Sequence, residues 1–196
     1  MNRREKRRRL ILAVSGGIVI AVLLTVVICN WDKLRDPGRF FVNEDDYRAE
    51  ITAAAKKHGL DPNLVRALVY QESRFKADKR GKRGEIGLMQ VLPSGAAAEW
   101  ARVNKRPRPT EWELFDVGVN LEIGCWYLAR AMRKWKSYDR RVELALAEYN
   151  AGPTNARKWA PPQKNGEVLP RVNIVSTKKY ITEIVKRWRA YSKTKN

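Results

Sequence analysis

Twenty consecutive residues without a charge, Leu10 to Cys29 (LILAVSGGIVIAVLLTVVIC), divide this chain before anything else about its fold can be settled. At about 1.5 Å per helical residue they reach roughly 30 Å, the thickness of a bilayer's hydrocarbon core. Met1 to Arg9 (MNRREKRRR) holds six basic residues and one acid, while Trp31 and Lys33 suit the far interface. A basic cluster ahead of a span keeps the amino terminus in the cytoplasm and sends the remainder across. The expectation is a cytoplasmic basic segment at 1–9, one transmembrane helix at 10–29, a tether at 30–43 and one domain at 44–192. That domain would lie on the extracytoplasmic side of the inner membrane, held by a single pass. A cleaved signal peptide fits less well, since its apolar stretch runs about 7–15 residues and ends in a small-x-small site. Val27-Ile28-Cys29 is a poor version of such a site, and Ile28 also argues against a lipidated Cys29.

The charge left outside the membrane narrows the partners. Taking the +5 of residues 1–9 from the total of +19 leaves +14 on the rest. Such an excess calls for a polyanionic neighbour: nucleic acid, anionic lipid headgroups or an acidic wall polymer. Export removes nucleic acid from that set, and no nucleic-acid-binding motif is present. The chemistry is narrowed too. With one histidine, His58, and two cysteines in the chain, a nucleophile–imidazole triad has one possible base and a zinc site has too few ligands. No metal or cofactor is expected, so any reaction must use carboxylates, hydroxyls, amides or basic groups.

Beyond the tether the pattern is helical. Asn43 is placed to cap a first helix whose stripe is Tyr47, Ile51, Ala54 and Ala55, with Gly59 stopping it. Asp61-Pro62 starts a second that buries Leu64, Val65, Leu68 and Val69 and runs to about Phe75. Residues 76–87 are basic and glycine-bearing, a loop or small hairpin. A short helix is expected from Ser94 to Val103. Asp116 opens a long one to about Trp135, and Asp139 opens another closed by Gly152-Pro153. Ser176 would cap a last helix carrying Tyr180, Ile181, Ile184, Val185 and Trp188. Five or six helices and almost no strand signal predict one all-α domain.

Glu72 interrupts this simple picture. Val65, Leu68, Val69 and Glu72 fall at i, i+3, i+4 and i+7, which sets a carboxylate on the buried stripe. Burial and the negative end of the helix dipole both raise a carboxyl pKa. A carboxylic acid kept protonated near neutrality suits general-acid cleavage of a glycosidic bond. Helix geometry alone equally allows Glu72 to turn outward and pair with Arg74 or Lys76.

Three strings in order bear on that choice: Glu72-Ser73, Gly87-Leu88-Met89-Gln90 with Pro93, and Ala147-Glu148-Tyr149-Asn150-Ala151-Gly152-Pro153. Between them Asn120, Gly124, Tyr127 and Leu128 keep an Asn-x-x-x-Gly-x-x-Tyr-Leu spacing. Over roughly residues 45–190 the chain resembles the catalytic domain of soluble-type lytic transglycosylases, relatives of goose-type lysozyme in the lysozyme-like superfamily. The resemblance implies a lysozyme-like helical fold and a groove for the glycan strands of peptidoglycan. It implies Glu72 as sole acid/base between N-acetylmuramic acid and N-acetylglucosamine, with the muramoyl 6-hydroxyl closing a 1,6-anhydro ring in place of water. By the same resemblance Ser73 would orient the glutamate or the sugar, Met89 and Gln90 would line the groove, Tyr149 would lie beside the reacting sugar, and Asn150 would support the site. Three of them have a plainer reading: Met89 as core filler, Tyr149 as packing, and the Asn150–Pro153 string as a helix end.

Departures from the family pattern stand at Glu85 and Ile86, where many relatives carry alanine, and at Ser176, where many carry glutamate. Glu85 raises the alternative of a hydrolytic muramidase with a second carboxylate, although Lys82 and Arg83 could neutralise it. A non-catalytic peptidoglycan-binding module is the remaining alternative. His58 reads as a solvated helix-end residue, Cys125 as a small buried hydrophobe and most of the tryptophans as core.

Overall fold

The computed structural model describes residues 45–193. The expected membrane span, the tether and the Asn43 cap therefore lie outside the described residues. Among those described, no helix is long and apolar enough to cross a membrane.

Six α-helices carry the domain: α1 Arg48–Lys57, α2 Pro62–Ser73, α3 Ala98–Asn104, α4 Val117–Lys134, α5 Arg141–Trp159 and α6 Val175–Lys193. Short turns precede three of them: a π-type turn at Pro93–Ala97, and 3-10 turns at Glu113–Phe115 and Leu169–Arg171. The all-α expectation holds. Pairing across residues 76–91 is limited to isolated bridges, Arg80 to Ile86 and Ile86 to Val91.

α4 is the centre of the fold. It packs on α1, α3 and α5, and its buried residues, among them Leu121, Ile123, Cys125, Leu128 and Ala131, run around most of the cylinder. A helix apolar on most sides belongs inside rather than on a surface. Asp116 starts it as the sequence requires, its Oδ1 accepting the Val119 N–H at 2.9 Å. α2 packs on α1 and more extensively on α6; Val65, Leu68 and Val69 of α2 and Ile181 and Ile184 of α6 are buried. Asp61 caps α2 by accepting the Asn63 N–H at 2.8 Å.

Several helix ends differ from expectation, each for a local reason. α2 stops at Ser73, two residues early, because Arg74 (φ 58°) and Phe75 (φ 63°) both turn left-handed. That turn drives Phe75 into the core, edge-on to Tyr70 at 6.0 Å, and leaves Glu72 in the final turn of its helix. Asp139 does not cap α5; its N–H donates to the Lys164 carbonyl, and the helix begins at Arg141. Gly152 (φ 82°, ψ 165°) closes the first helical run of α5 as expected, and Pro153 then opens a second short run, to Trp159, that the sequence did not suggest. A proline fits there because the first turn of a helix needs no N–H from it. Ser176 is exposed inside the first turn of α6, where Lys178 already bonds back to Ile174, so it is not the cap. His58 is held by a neighbour rather than solvated: its Nε2 lies 3.0 Å from Glu122, which Lys57 also reaches at 2.8 Å.

Two buried polar groups brace this arrangement. Glu148, 1% exposed, accepts from Lys134 at 2.7 Å and from the Trp135 indole at 2.9 Å, tying the end of α4 to α5. Asn120, also 1% exposed, sends its side chain into the loop after α2. A buried carboxylate or amide is tolerable only when its bonds are made within the protein.

Candidate active site

The site begins with the seating of the Gly87–Gln90 loop on α4. Asn120 accepts the Met89 N–H and donates to the carbonyls of Ile86 and Leu114, each at 2.8 Å. Gly87 adopts φ 77°, and a Cβ there would come within 2.3 Å of the Asn120 amide. One turn along, a Cβ on Gly124 would meet Met89 Sδ at 2.4 Å and Met89 Cβ at 2.7 Å. The Asn-x-x-x-Gly spacing is thus a landing surface: an amide that satisfies the loop backbone and a gap that receives Met89.

Glu72, in the last turn of α2, faces this loop and α6. Its Oε1 accepts a hydrogen bond from the Tyr180 hydroxyl, and its backbone carbonyl accepts one from the Lys79 ammonium. The side chain retains partial exposure, yet protein crowds the carboxyl itself. Burial pushes its pKa from the ordinary 4.5 up to about 7, against the lowering effects of the Tyr180 hydrogen bond and the Lys79 charge. The nearby Glu85 charge adds to the rise, and Arg83 opposes it. The Tyr180 and Tyr149 phenols are both held well above their usual range, by burial first and then by the Glu72 charge. Both remain hydrogen-bond donors at any pH where the domain operates.

The other expected site residues fall into two groups. Tyr149 and Gln90 retain partial exposure. Tyr149 donates its hydroxyl to the Met89 carbonyl at 2.8 Å and stands edge-on to Tyr127 at 5.6 Å. Gln90, left-handed at φ 48°, spends its amide donor on the carbonyls of Lys79 (3.2 Å) and Gly87 (3.0 Å). Ser73 and Met89 instead have buried side chains. The Ser73 hydroxyl donates to the Val69 carbonyl at 3.1 Å, and Met89 Sδ lies 3.8 Å from Cys125 Sγ. Asn150 accepts from the Thr177 hydroxyl at 2.8 Å and so joins α5 to α6. Burial raises the Cys125 thiol to about 12, in keeping with a small hydrophobe.

Tyr180 and Lys79 escaped the sequence reading as site residues. Tyr180 was read as part of an apolar stripe and of the string that Ser176 opens, and nothing in α6 alone says that its hydroxyl meets Glu72 across 108 positions. Among the described residues no three of His, Cys, Asp and Glu converge to hold a metal ion. Two open clefts, of about 450 and 440 Å³, lie elsewhere: one lined by Lys57, Trp100, Arg106 and Glu122, the other by Glu143, Lys186 and Arg189. Neither includes Glu72.

The sequence profile described as the transglycosylase SLT domain matches residues 50–168, more than half of the chain. The chain belongs to the SLT transglycosylase family. Two curated relatives are each 31% identical to it. One is the membrane-bound lytic murein transglycosylase E of Buchnera aphidicola, over 144 residues, covering 71% of this chain and 64% of the relative. The other is the membrane-bound lytic murein transglycosylase F of Desulfosudis oleivorans, covering 65% and 26%. This SLT domain chain thus spans under two thirds of the first and about a quarter of the second. A solved structure of an inactive mutant of the lytic transglycosylase Slt of Pseudomonas aeruginosa superposes with a TM-score of 0.66 at 27% identity. It covers 76% of this chain and 24% of that one. The 70 kDa soluble lytic transglycosylase of Escherichia coli shares the fold (TM-score 0.65, 21% identity, 75% and 24% covered). The lysozyme-like SLT fold is therefore the fold of residues 45–193, and soluble and membrane-bound proteins both use it.

Proposed function

We propose that the protein is a membrane-anchored peptidoglycan lytic transglycosylase, with Glu72 as its sole general acid and base. The observation that carries this reading is a carboxyl at a helix end whose pKa is pushed by burial to about 7. Such a group is substantially protonated near neutrality, and its retained exposure leaves it open to a ligand. In the first half of the reaction Glu72 gives its proton to the oxygen linking N-acetylmuramic acid to N-acetylglucosamine, and the bond from that oxygen to the muramoyl C1 breaks. In the second half the muramoyl 6-hydroxyl oxygen bonds to C1, and its proton returns to Glu72. The acceptor is part of the same sugar, so its effective concentration is high and no second carboxylate is needed to activate water.

Tyr180 steadies the carboxyl and stabilises the anion that remains after the first transfer. Gln90 and Tyr149 offer the groove their unused acceptor capacity, while Ser73, Met89 and Asn150 shape it from beneath. The P. aeruginosa relative's inactive form is named for a glutamate-to-glutamine exchange, in line with a single essential carboxylate. Residues 10–29 would anchor the domain and 30–43 would tether it outside the inner membrane, with residues 44–192 as the catalytic domain.

The test is product analysis. Digestion of purified sacculi by the full chain should release muropeptides ending in a 1,6-anhydromuramoyl residue, identified by mass spectrometry, and Glu72→Gln should release none. Free reducing ends would make the protein a muramidase. Unchanged clearing by Glu72→Gln would remove the catalytic reading altogether.

A further inference from the structure

The loop between α2 and the Gly87–Gln90 turn holds a carboxylate that the mechanism above leaves unused. Glu85 accepts the Arg83 N–H through Oε2 at 3.0 Å and the Arg83 guanidinium through Oε1 at 2.7 Å. The two ends of this pair are unequally placed: the Glu85 side chain is 14% exposed and that of Arg83 is 74% exposed. Gly81 makes the inward position possible. Its backbone is not left-handed, so its lack of a side chain has another cause. A Cβ there would stand 2.3 Å from Glu85 Oε2 and 2.8 Å from Gln90 Oε1. The carboxylate fills the space that any other residue at position 81 would occupy.

Hydrogen bonds tie the backbone of this loop to that of Glu72. The Gly81 N–H donates to the Glu85 carbonyl at 2.7 Å. Gln90 packs at the same spot and donates its amide to the Lys79 carbonyl, which also receives the Gly87 N–H at 2.8 Å. Lys79 in turn donates its ammonium to the Glu72 carbonyl.

We propose that the Glu85–Arg83 pair is a positioning element for the proton on Glu72, with its negative end packed over Gly81 beside Gln90 and its positive end turned to solvent. The proposal rests on Glu72 being the proton donor. An inward anion opposes a second negative charge nearby and so favours the protonated acid before transfer. Burial works against ionisation of Glu85. The N–H groups of Glu85 and Arg83 and the Arg83 guanidinium outweigh it and hold the carboxyl below its usual range. The charged and titratable groups around Glu72 are Tyr180 from α6, Tyr149 from α5, and Lys79, Arg83 and Glu85 from the loop. Within this set the pair's two members act with opposite sign: Glu85 raises the Glu72 pKa and Arg83 lowers it.

That opposition supplies a test. The rate of anhydromuropeptide release by the full chain is followed against pH for wild type, Glu85→Gln, Arg83→Gln and Gly81→Ala. The alkaline limb, where Glu72 loses its proton, moves to lower pH in Glu85→Gln and to higher pH in Arg83→Gln. At a fixed pH above the wild-type limb this reads as about a threefold fall and a comparable rise, a half-unit displacement in each direction. Gly81→Ala, whose methyl group displaces the carboxylate, shifts the limb in the same direction as Glu85→Gln. The signature is the position of the limb, not the height of the plateau, so a merely structural role for the loop would not reproduce it. Arg83 is a surface side chain, so its variant keeps the sign test available even if the Glu85 or Gly81 variants fold poorly. Limbs that move together, or stay fixed while Glu72→Gln is inactive, overturn this inference alone. An active Glu72→Gln overturns the reading beneath it.

Discussion

Replacing Glu72 by glutamine should abolish catalysis and at the same time stabilise the fold, but only above a defined pH. The folded-state pKa of Glu72 is about 7 against an ordinary 4.5. The folded chain therefore holds a proton that the unfolded chain has released between those values. Stability falls as pH rises through this window, and the whole penalty is present above about 7. At 1.36 kcal/mol per unit the gap sets an upper bound of about 3 kcal/mol. Partial solvent exposure of the side chain reduces it to about 1–2 kcal/mol. Glutamine keeps the shape, keeps an acceptor for the Tyr180 hydroxyl and never ionises. Thermal melts of the two full-length chains should coincide at pH 4 and differ at pH 8. There the variant should melt higher by about 3–6 °C for a domain of this size. A variant that melts at or below wild type at pH 8, or by the same margin at both pH values, would mean that Glu72 ionises without penalty.

Three further outcomes follow from the geometry. Tyr180→Phe removes a hydrogen bond that favours the Glu72 anion, so the alkaline limb of activity should move to higher pH while the maximal rate falls by about tenfold, read in the same product assay. Gly124→Ala brings a methyl group against Met89 and should cost about 1–3 kcal/mol in urea unfolding, with loss of activity as the loop lifts. Asn120→Ala strands the Met89 N–H and two carbonyls and should cost about 2–4 kcal/mol by the same measure.

Much of the fold was legible because helix signals are local. Asp61-Pro62 and Asp116 mark helix starts through bonds within a few residues, and both caps stand where the sequence puts them. Asp139 and Ser176 carry the same chemistry and cap nothing; packing against the 160s and the entry into α6 decide those ends. The left-handed pair Arg74-Phe75 is written in no propensity. It exists because Phe75 has a core to enter. At the site, the buried stripe raised Glu72 as a candidate, and the strings of the family resemblance favoured it over the outward reading. Its partners Tyr180 and Lys79 were hidden because their roles depend on where other elements pass. Ser73 and Met89 lie within the strings that carry the family resemblance, yet their side chains are buried. A short string of residues does not separate a side chain that meets a ligand from one that holds up its neighbour.

The three bonds of Asn120 and the missing side chain of Gly124 make the Gly87–Gln90 loop and the central helix one part rather than two. Transplanting the loop alone between relatives would leave its backbone groups facing a surface not cut to receive them. The smallest portable unit for chimaeras is the loop together with α4, and an exchange that respects that seam is the one expected to yield a working enzyme.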